Sequence, residues 1–277
     1  MGTLMARVEW RACFLLAIIG FQAVQEISAD EVRPPLVVAH RGLLRESPEN
    51  TLSSFRACLE LRIGFEMDVL RSRDGKLVCI HDQTVDRTTN GEGRVNELRL
   101  RQIRSLDAGS WFDAKFRDEK VPTIDQVFRL LAGYRESDVL VAVDIKQDDP
   151  DVERDLVRLA RRHDVLDRIL FIGRSILEQP VRDRLRTASG SVHLARVAHD
   201  SEELVGSIAD PLTDWVYVRY LPSAEEVERI HQQGKRVFIA GATVAGHEAL
   251  NWQRATEIGI DAILTDYSLE LSSQLRE

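Results

Sequence analysis

The chain has 277 residues, a formal net charge of −8 and 44% hydrophobic residues. That hydrophobic share supports a sizeable core, and the length suits one α/β barrel of about 250 residues or two smaller domains. The acidic balance excludes a general nucleic-acid binder, yet it permits an anionic substrate wherever a local cation reverses the field.

Residues 1–29 read as an export leader. Arg7 and Arg11 frame the start of an apolar stretch, Ala12 to Val24, and small residues Ser28-Ala29 precede Asp30. A basic head, a short apolar run and a small-residue exit are the marks of a secretory signal peptide. A membrane span needs about 20 apolar residues, so cleavage is expected, with an uncleaved anchor as the alternative. The destination is then periplasmic or extracellular. Residues 30–277 are expected to form a single domain.

Eight apolar, β-branched runs follow at 36–39, 64–70, 139–145, 169–172, 192–197, 215–218, 237–240 and 262–264. Helical patterns lie between most of them, at 51–61, 124–131, 152–162, 224–233 and 248–258. Strands alternating with helices imply parallel units, and eight of them imply a closed (β/α)8 TIM barrel. A doubly wound open sheet is the alternative.

One further run, 77–81, breaks the alternation. It follows the second strand after Asp74-Gly75, the strongest short hairpin signal. A two-residue turn there would return the chain antiparallel and set Asp68 opposite His81. Residues 82–123 then form a long polar insertion over the same barrel end. Loops of that length are usually functional. Cys58 and Cys79 are expected as buried thiols rather than as a disulfide.

Active sites of such barrels stand at the C-terminal strand ends. Here that end collects His40 and Arg41 after the first strand, Glu66 and Asp68 on the second, Asp144 and Lys146 on the third, and His81 on the hairpin. Residues two apart on a strand share a face, so Glu66, Asp68 and Asp144 would converge. Oxygen ligands of this kind suit Ca²⁺ or Mg²⁺. Arg41 and Lys146 suit phosphate oxygens, and two imidazoles suit general acid and base. Each feature alone has a structural explanation; their coincidence at one barrel end reads as phosphoryl transfer.

Taken in order, Ala39-His40-Arg41-Gly42, Pro48-Glu49-Asn50-Thr51, Glu66-Met67-Asp68-Val69, Asp74-Gly75 and His81-Asp82 resemble the glycerophosphodiester phosphodiesterase family. The series continues through Arg87-Thr88-Thr89, Leu106-Asp107-Ala108-Gly109-Ser110-Trp111, Pro122-Thr123 and Leu264-Thr265-Asp266-Tyr267. The resemblance implies a barrel with an insertion over its mouth and one divalent ion, Ca²⁺ or Mg²⁺. It implies hydrolysis of small glycerophosphodiesters to sn-glycerol 3-phosphate and an alcohol. By motif, His40 and His81 match the acid/base pair, Arg41 and Lys146 the phosphate-side cations, and Glu66 and Asp68 metal ligands.

Pro48-Glu49-Asn50-Thr51 reads as structural, with Asn50 or Thr51 capping the first helix. Two departures stand out. Asp144 occupies a place where the family usually has Glu, as in related phospholipase D enzymes on this scaffold. Ala240-Gly241-Ala242-Thr243-Val244 replaces a usual tryptophan signature, for which Trp111 or Trp252 are candidate substitutes. Both departures keep open a lysophospholipid or sphingolipid substrate and contact with a lipid surface. A binding protein on a retired barrel is the non-enzymatic alternative. Oligomeric state is not legible.

Overall fold

The computed structural model describes residues 33–136, 138–240 and 249–276. The leader and most of the altered seventh-strand signature therefore lie outside the described residues. Among the described residues nine strands form: β1 (Leu36–Ala39), β2 (Gly64–Arg71), β3 (Leu77–Cys79), β4 (Val141–Ile145), β5 (Ile169–Gly173), β6 (His193–Ala198), β7 (Trp215–Val218), β8 (Arg236–Ile239) and β9 (Ala262–Thr265). Every consecutive pair among β1, β2 and β4–β9 is parallel. β1 pairs with both β2 and β9, so these eight strands close into the expected α/β barrel. The open-sheet alternative is excluded.

Alternation along each strand sorts the side chains. On β2, Phe65, Met67 and Val69 pack outward under the helices, as do Val141, Val143 and Ile145 on β4. Their neighbours Glu66, Asp68 and Asp144 therefore face the barrel interior. The remaining interior is apolar and includes Val38, Ala142, Leu170, Ala195, Trp215, Tyr217, Phe238 and Ala262.

All five helices read from the sequence form, the first as Leu52–Glu60 and the longest as Pro150–His163. Thr51 is the first helix's cap, its Oγ1 accepting from Ser54 N. Gln179–Ala188, Ser201–Ala209 and Ser268–Gln274 are further helices that the pattern did not reveal. In Gln179–Ala188 three arginines crowd out the apolar stripe, leaving only Val181 and Leu185 as buried apolar side chains.

The hairpin needs a correction. β3 pairs antiparallel with β2, but in the register Val69↔Cys79, Leu70↔Val78 and Arg71↔Leu77. Ser72 N donates to Lys76 O and Gly75 N to Ser72 O, with Gly75 at φ +77°. The loop thus holds three residues, with glycine in the left-handed position such turns require. Ile80 N donates to Asp68 O, so Ile80 stands opposite Asp68 and His81 lies one residue beyond.

The insertion is also less polar than it reads. Val85, Val95, Ile103, Ala108 and Val121 bury themselves against Leu70, Val78 and Ile80 as a separate small core. It contains the short helix Leu100–Ile103. These apolar residues are spaced by tertiary folding rather than by either regular period, which hid them. Cys58 and Cys79 are free, buried thiols, as expected. No helix among the described residues is long and apolar enough to cross a membrane.

Candidate active site

β2 and β4 run side by side with Asp68 level with Asp144. One oxygen from each of Glu66, Asp68 and Asp144 lies within 4.8 Å of the others. Glu66 and Asp68 are buried. Burial, then the charges of Asp68 and Asp144, push the Glu66 carboxyl well above the usual range. Burial also raises Asp144, against the pull of Lys146. Lys146 Nζ pairs with Asp144 and lies 3.1 Å from Asp68 Oδ1. Burial alone would lower the Lys146 pKa, but the Asp68 and Asp144 charges raise it. Asp68 Oδ1 nonetheless has no hydrogen bond.

Three converging carboxylates, a single lysine between them and a buried oxygen that has this ion pair but no hydrogen bond are suited to a hard, oxygen-ligated cation. The triad can hold a metal ion.

Space for it depends on Gly173 at the end of β5, which sequence reading passed over. A Cβ there would sit 1.6 Å from Asp144 Oδ1, and the backbone is at φ +65°. Glycine alone meets both demands.

The loop after β1 brings the cationic side. Arg41 sits at φ +54°, which aims its backbone N–H at Glu66 Oε2 at 3.0 Å. Its Nε lies 3.5 Å from Asp68 Oδ2, and its Nη1 donates to Glu49 Oε1 at 3.1 Å. Asn50 is no helix cap. Its Nδ2 donates to Asp68 Oδ2 at 2.8 Å, while its Oδ1 accepts from Asp68 N at 3.2 Å. The Pro-Glu-Asn-Thr motif is therefore structural in a specific sense: Glu49 holds Arg41, Asn50 holds Asp68 and Thr51 starts the helix.

Each histidine is tethered by a carboxylate. His40 Nδ1 lies 2.7 Å from Asp266 Oδ1, and His81 Nδ1 lies 2.7 Å from Asp82 Oδ1. A carboxylate can only accept, so each Nδ1 carries the proton and Nε2 of the neutral ring keeps its lone pair. Asp82 is in turn bound by Arg87, whose hydrogen bonds foremost pull its pKa down to about 2. Asp266 follows the last barrel strand directly, a position at the active end that could have singled it out. Asp82 adjoins a candidate histidine and had the same visibility.

All seven residues expected at the site thus have their places at this end. The other described histidines pair with carboxylates outside the site, although His199 follows β6 at the same barrel end. His163 pairs with Asp125, His193 with Asp214, His199 with Glu203 and His231 with Asp261. His247 lies outside the described residues. Trp252 is buried in the outer core, so it does not stand in for the missing tryptophan. Trp111 is exposed and packs edge-on against Phe112, which packs against Phe116.

Comparison with known proteins agrees with this geometry. The model of the glycerophosphoryl diester phosphodiesterase family matches residues 40–270. The chain belongs to that family. A glycerophosphodiester phosphodiesterase of Caldanaerobacter subterraneus subsp. tengcongensis is 42% identical over 140 residues, 49% of this chain and 56% of that protein. The match therefore spans little more than half of that relative's length. Among solved structures, a glycerophosphodiester phosphodiesterase from Agrobacterium tumefaciens superposes with a TM-score of 0.73 at 24% identity, covering 86% of this chain and 99% of that one. An Oleispira antarctica phosphodiesterase, solved with the product sn-glycerol-3-phosphate, gives a TM-score of 0.71 at 22% identity, covering 88% and 98%. At such identities the superpositions establish the shared barrel.

Proposed function

We propose that the protein hydrolyses glycerophosphodiesters to sn-glycerol 3-phosphate and an alcohol. The observation that carries this reading is the acidic triad with Arg41, Lys146 and two carboxylate-tethered histidines gathered at the C-terminal end of the barrel. Membership of the family supports it, as does the product bound to the Oleispira antarctica relative.

In this reading Glu66, Asp68 and Asp144 hold one divalent cation, Ca²⁺ or Mg²⁺, which supplies Lewis-acid polarisation of a phosphoryl oxygen. Arg41 and Lys146 offset the remaining charge on the phosphate oxygens. His40 and His81 divide the proton work: one, entering as the neutral ring, takes at Nε2 the proton of the attacking hydroxyl, and the other, entering as the imidazolium, donates its Nε2 proton to the leaving alcohol oxygen. Their Asp266 and Asp82 partners keep Nδ1 protonated and steady the imidazolium as it forms. Residues 30–277 form one exported domain, released by cleavage of the 1–29 leader.

The test is release of glycerol 3-phosphate from glycerophosphocholine, with and without Ca²⁺ or Mg²⁺, by wild type and His40→Ala. Cation-dependent release that collapses in the variant is expected. Activity that survives EDTA would overturn the metal assignment.

Two observations favour a second reading, a phospholipase D acting on lysophospholipid or sphingolipid head groups. They are Asp144 in place of the family's usual glutamate and the exposed Trp111 beside Phe112 and Phe116. Turnover of lysophospholipid at a rate matching glycerophosphocholine would support it, and no turnover of any lipid would remove it.

A further inference from the structure

Arg87 belongs to the insertion and has no part in the chemistry just described, yet it sits between two members of the site. Its guanidinium makes two bidentate contacts. Nε donates to Asp82 Oδ2 at 2.7 Å and Nη2 to Asp82 Oδ1 at 3.2 Å. Nη1 donates to Glu49 Oε2 and Nη2 to Glu49 Oε1, each at 2.8 Å. Each carboxylate has a second partner. Asp82 accepts from His81 and Glu49 accepts from Arg41. An unbroken chain of hydrogen bonds therefore runs His81–Asp82–Arg87–Glu49–Arg41.

The geometry assigns Arg87 the role of a positioning residue that fixes the His81 imidazole relative to the Arg41 guanidinium. Through it, folding of the insertion becomes a condition for both proton handling and phosphate holding. This rests on the phosphodiesterase reading above. An isolated exposed ion pair contributes little, but this is a network, and its Glu49 end is mostly buried, with 10% of the side chain exposed. A planar fork is also what the geometry demands. Two carboxylates bound bidentately by one cation need four donors in a fixed planar arrangement, which the guanidinium of arginine supplies and the point charge of lysine does not. Thr89 secures the segment from behind, its Oγ1 donating to Val85 O at 2.7 Å.

The experiment is a set of variants assayed on glycerophosphocholine with the divalent cation present, their melting temperatures followed in parallel. Asp82→Asn is expected to lower kcat with little change in KM, and Glu49→Gln to raise KM with little change in kcat. Arg87→Ala should do both, lowering kcat/KM by about 10- to 100-fold, the usual cost of losing an orienting partner. Arg87→Lys keeps the charge without the fork and should lose nearly as much. The Arg87→Ala, Asp82→Asn double variant should fall short of the product of the single effects, because both remove one shared linkage. Added guanidinium should restore part of the Arg87→Ala activity and none of the Glu49→Gln activity.

A folded Arg87→Ala enzyme with kcat and KM both within about twofold of wild type would overturn the assignment. Crystal structures of wild type and Arg87→Ala decide it without any substrate. Displacement of both His81 and Arg41 is expected, and both side chains unmoved would end it. Wild type without phosphodiesterase activity would instead sink the functional reading, while the crystal comparison would still judge Arg87.

Discussion

On β2 and β4 the interior positions carry Glu66, Asp68 and Asp144 with small neighbours such as Gly64 and Ala142. On β7, on β8 and just past its end they carry Trp215, Tyr217, Phe238 and Ala240. The aromatic side is packed ring on ring, with Tyr217 5.2 Å and Trp215 6.4 Å from Phe238 between centroids. The two walls feel each other. Burial foremost, then the charges of Glu66 and Asp144 against the pull of Arg219, hold the Tyr217 phenol above its usual range. The contrast teaches how a barrel makes a cation site. Small residues on one wall leave room for carboxylates, while bulky rings on the other exclude the water that would otherwise solvate them. Charges so desolvated are costly until a cation joins them.

The largest expected effect comes from removing a charge from the acidic wall. Asp68→Asn should lower phosphodiester turnover by about 10³-fold or more, the scale of a lost metal contribution. It should not lower the metal-free melting temperature, because repulsion is relieved. Added Ca²⁺ or Mg²⁺ should raise the wild-type melting temperature and leave the variant unmoved; a wild-type shift in the variant would break the contrast between the walls.

On the aromatic wall, Phe238→Ala should destabilise the protein by about 3–5 kcal/mol in denaturant titration. A loss below about 1 kcal/mol would mean that the wall repacks freely and is no fixed floor.

Gly173→Ala sharpens the comparison, since it adds one methyl to the roomy side. Left-handed strain and the clash with Asp144 should cost about 1–3 kcal/mol. Cation affinity by calorimetry should fall about tenfold. Unchanged affinity would show that Asp144 does not need this space.

The smallest effect lies at the rim. The Asp82 pKa is lowered from 3.8 to about 2, foremost by Arg87. Since the folded value is the lower one, the stabilisation is present above 3.8 and fades as pH falls toward 2. Asp82→Asn should therefore cost under about 1 kcal/mol at pH 7, as befits a partly exposed group. Denaturant titration at pH 2 should find no difference from wild type; a cost that persisted there would have another origin.

The fold and the membership of the site were largely legible in the chain. Strand and helix periods marked all eight barrel strands, and residues two apart on β2 and β4 declared their common face. Gly173 was not legible, because its importance lies in a carboxylate on the neighbouring strand. Nor was Asn50, which read as a helix cap until its side chain was found on Asp68. The hairpin register went astray for a local reason: Asp-Gly fits both two- and three-residue turns, and hydrogen bonds from Lys76 N and Leu100 N around Ser72 and Asp74 accompany the longer one.

The sequence by itself determined the barrel, the insertion's place in the chain and the identity of the seven candidate site residues. Those follow from periodicity and from residue chemistry at strand ends, both of which are local. Tertiary structure alone decided how the groups are held: Asp266 on His40, Arg87 across Asp82 and Glu49, Gly173 beneath Asp144, and aromatic rings facing the acids. Each of these joins segments far apart in the chain, and such contacts form only when closure of the barrel brings the strand ends to one mouth.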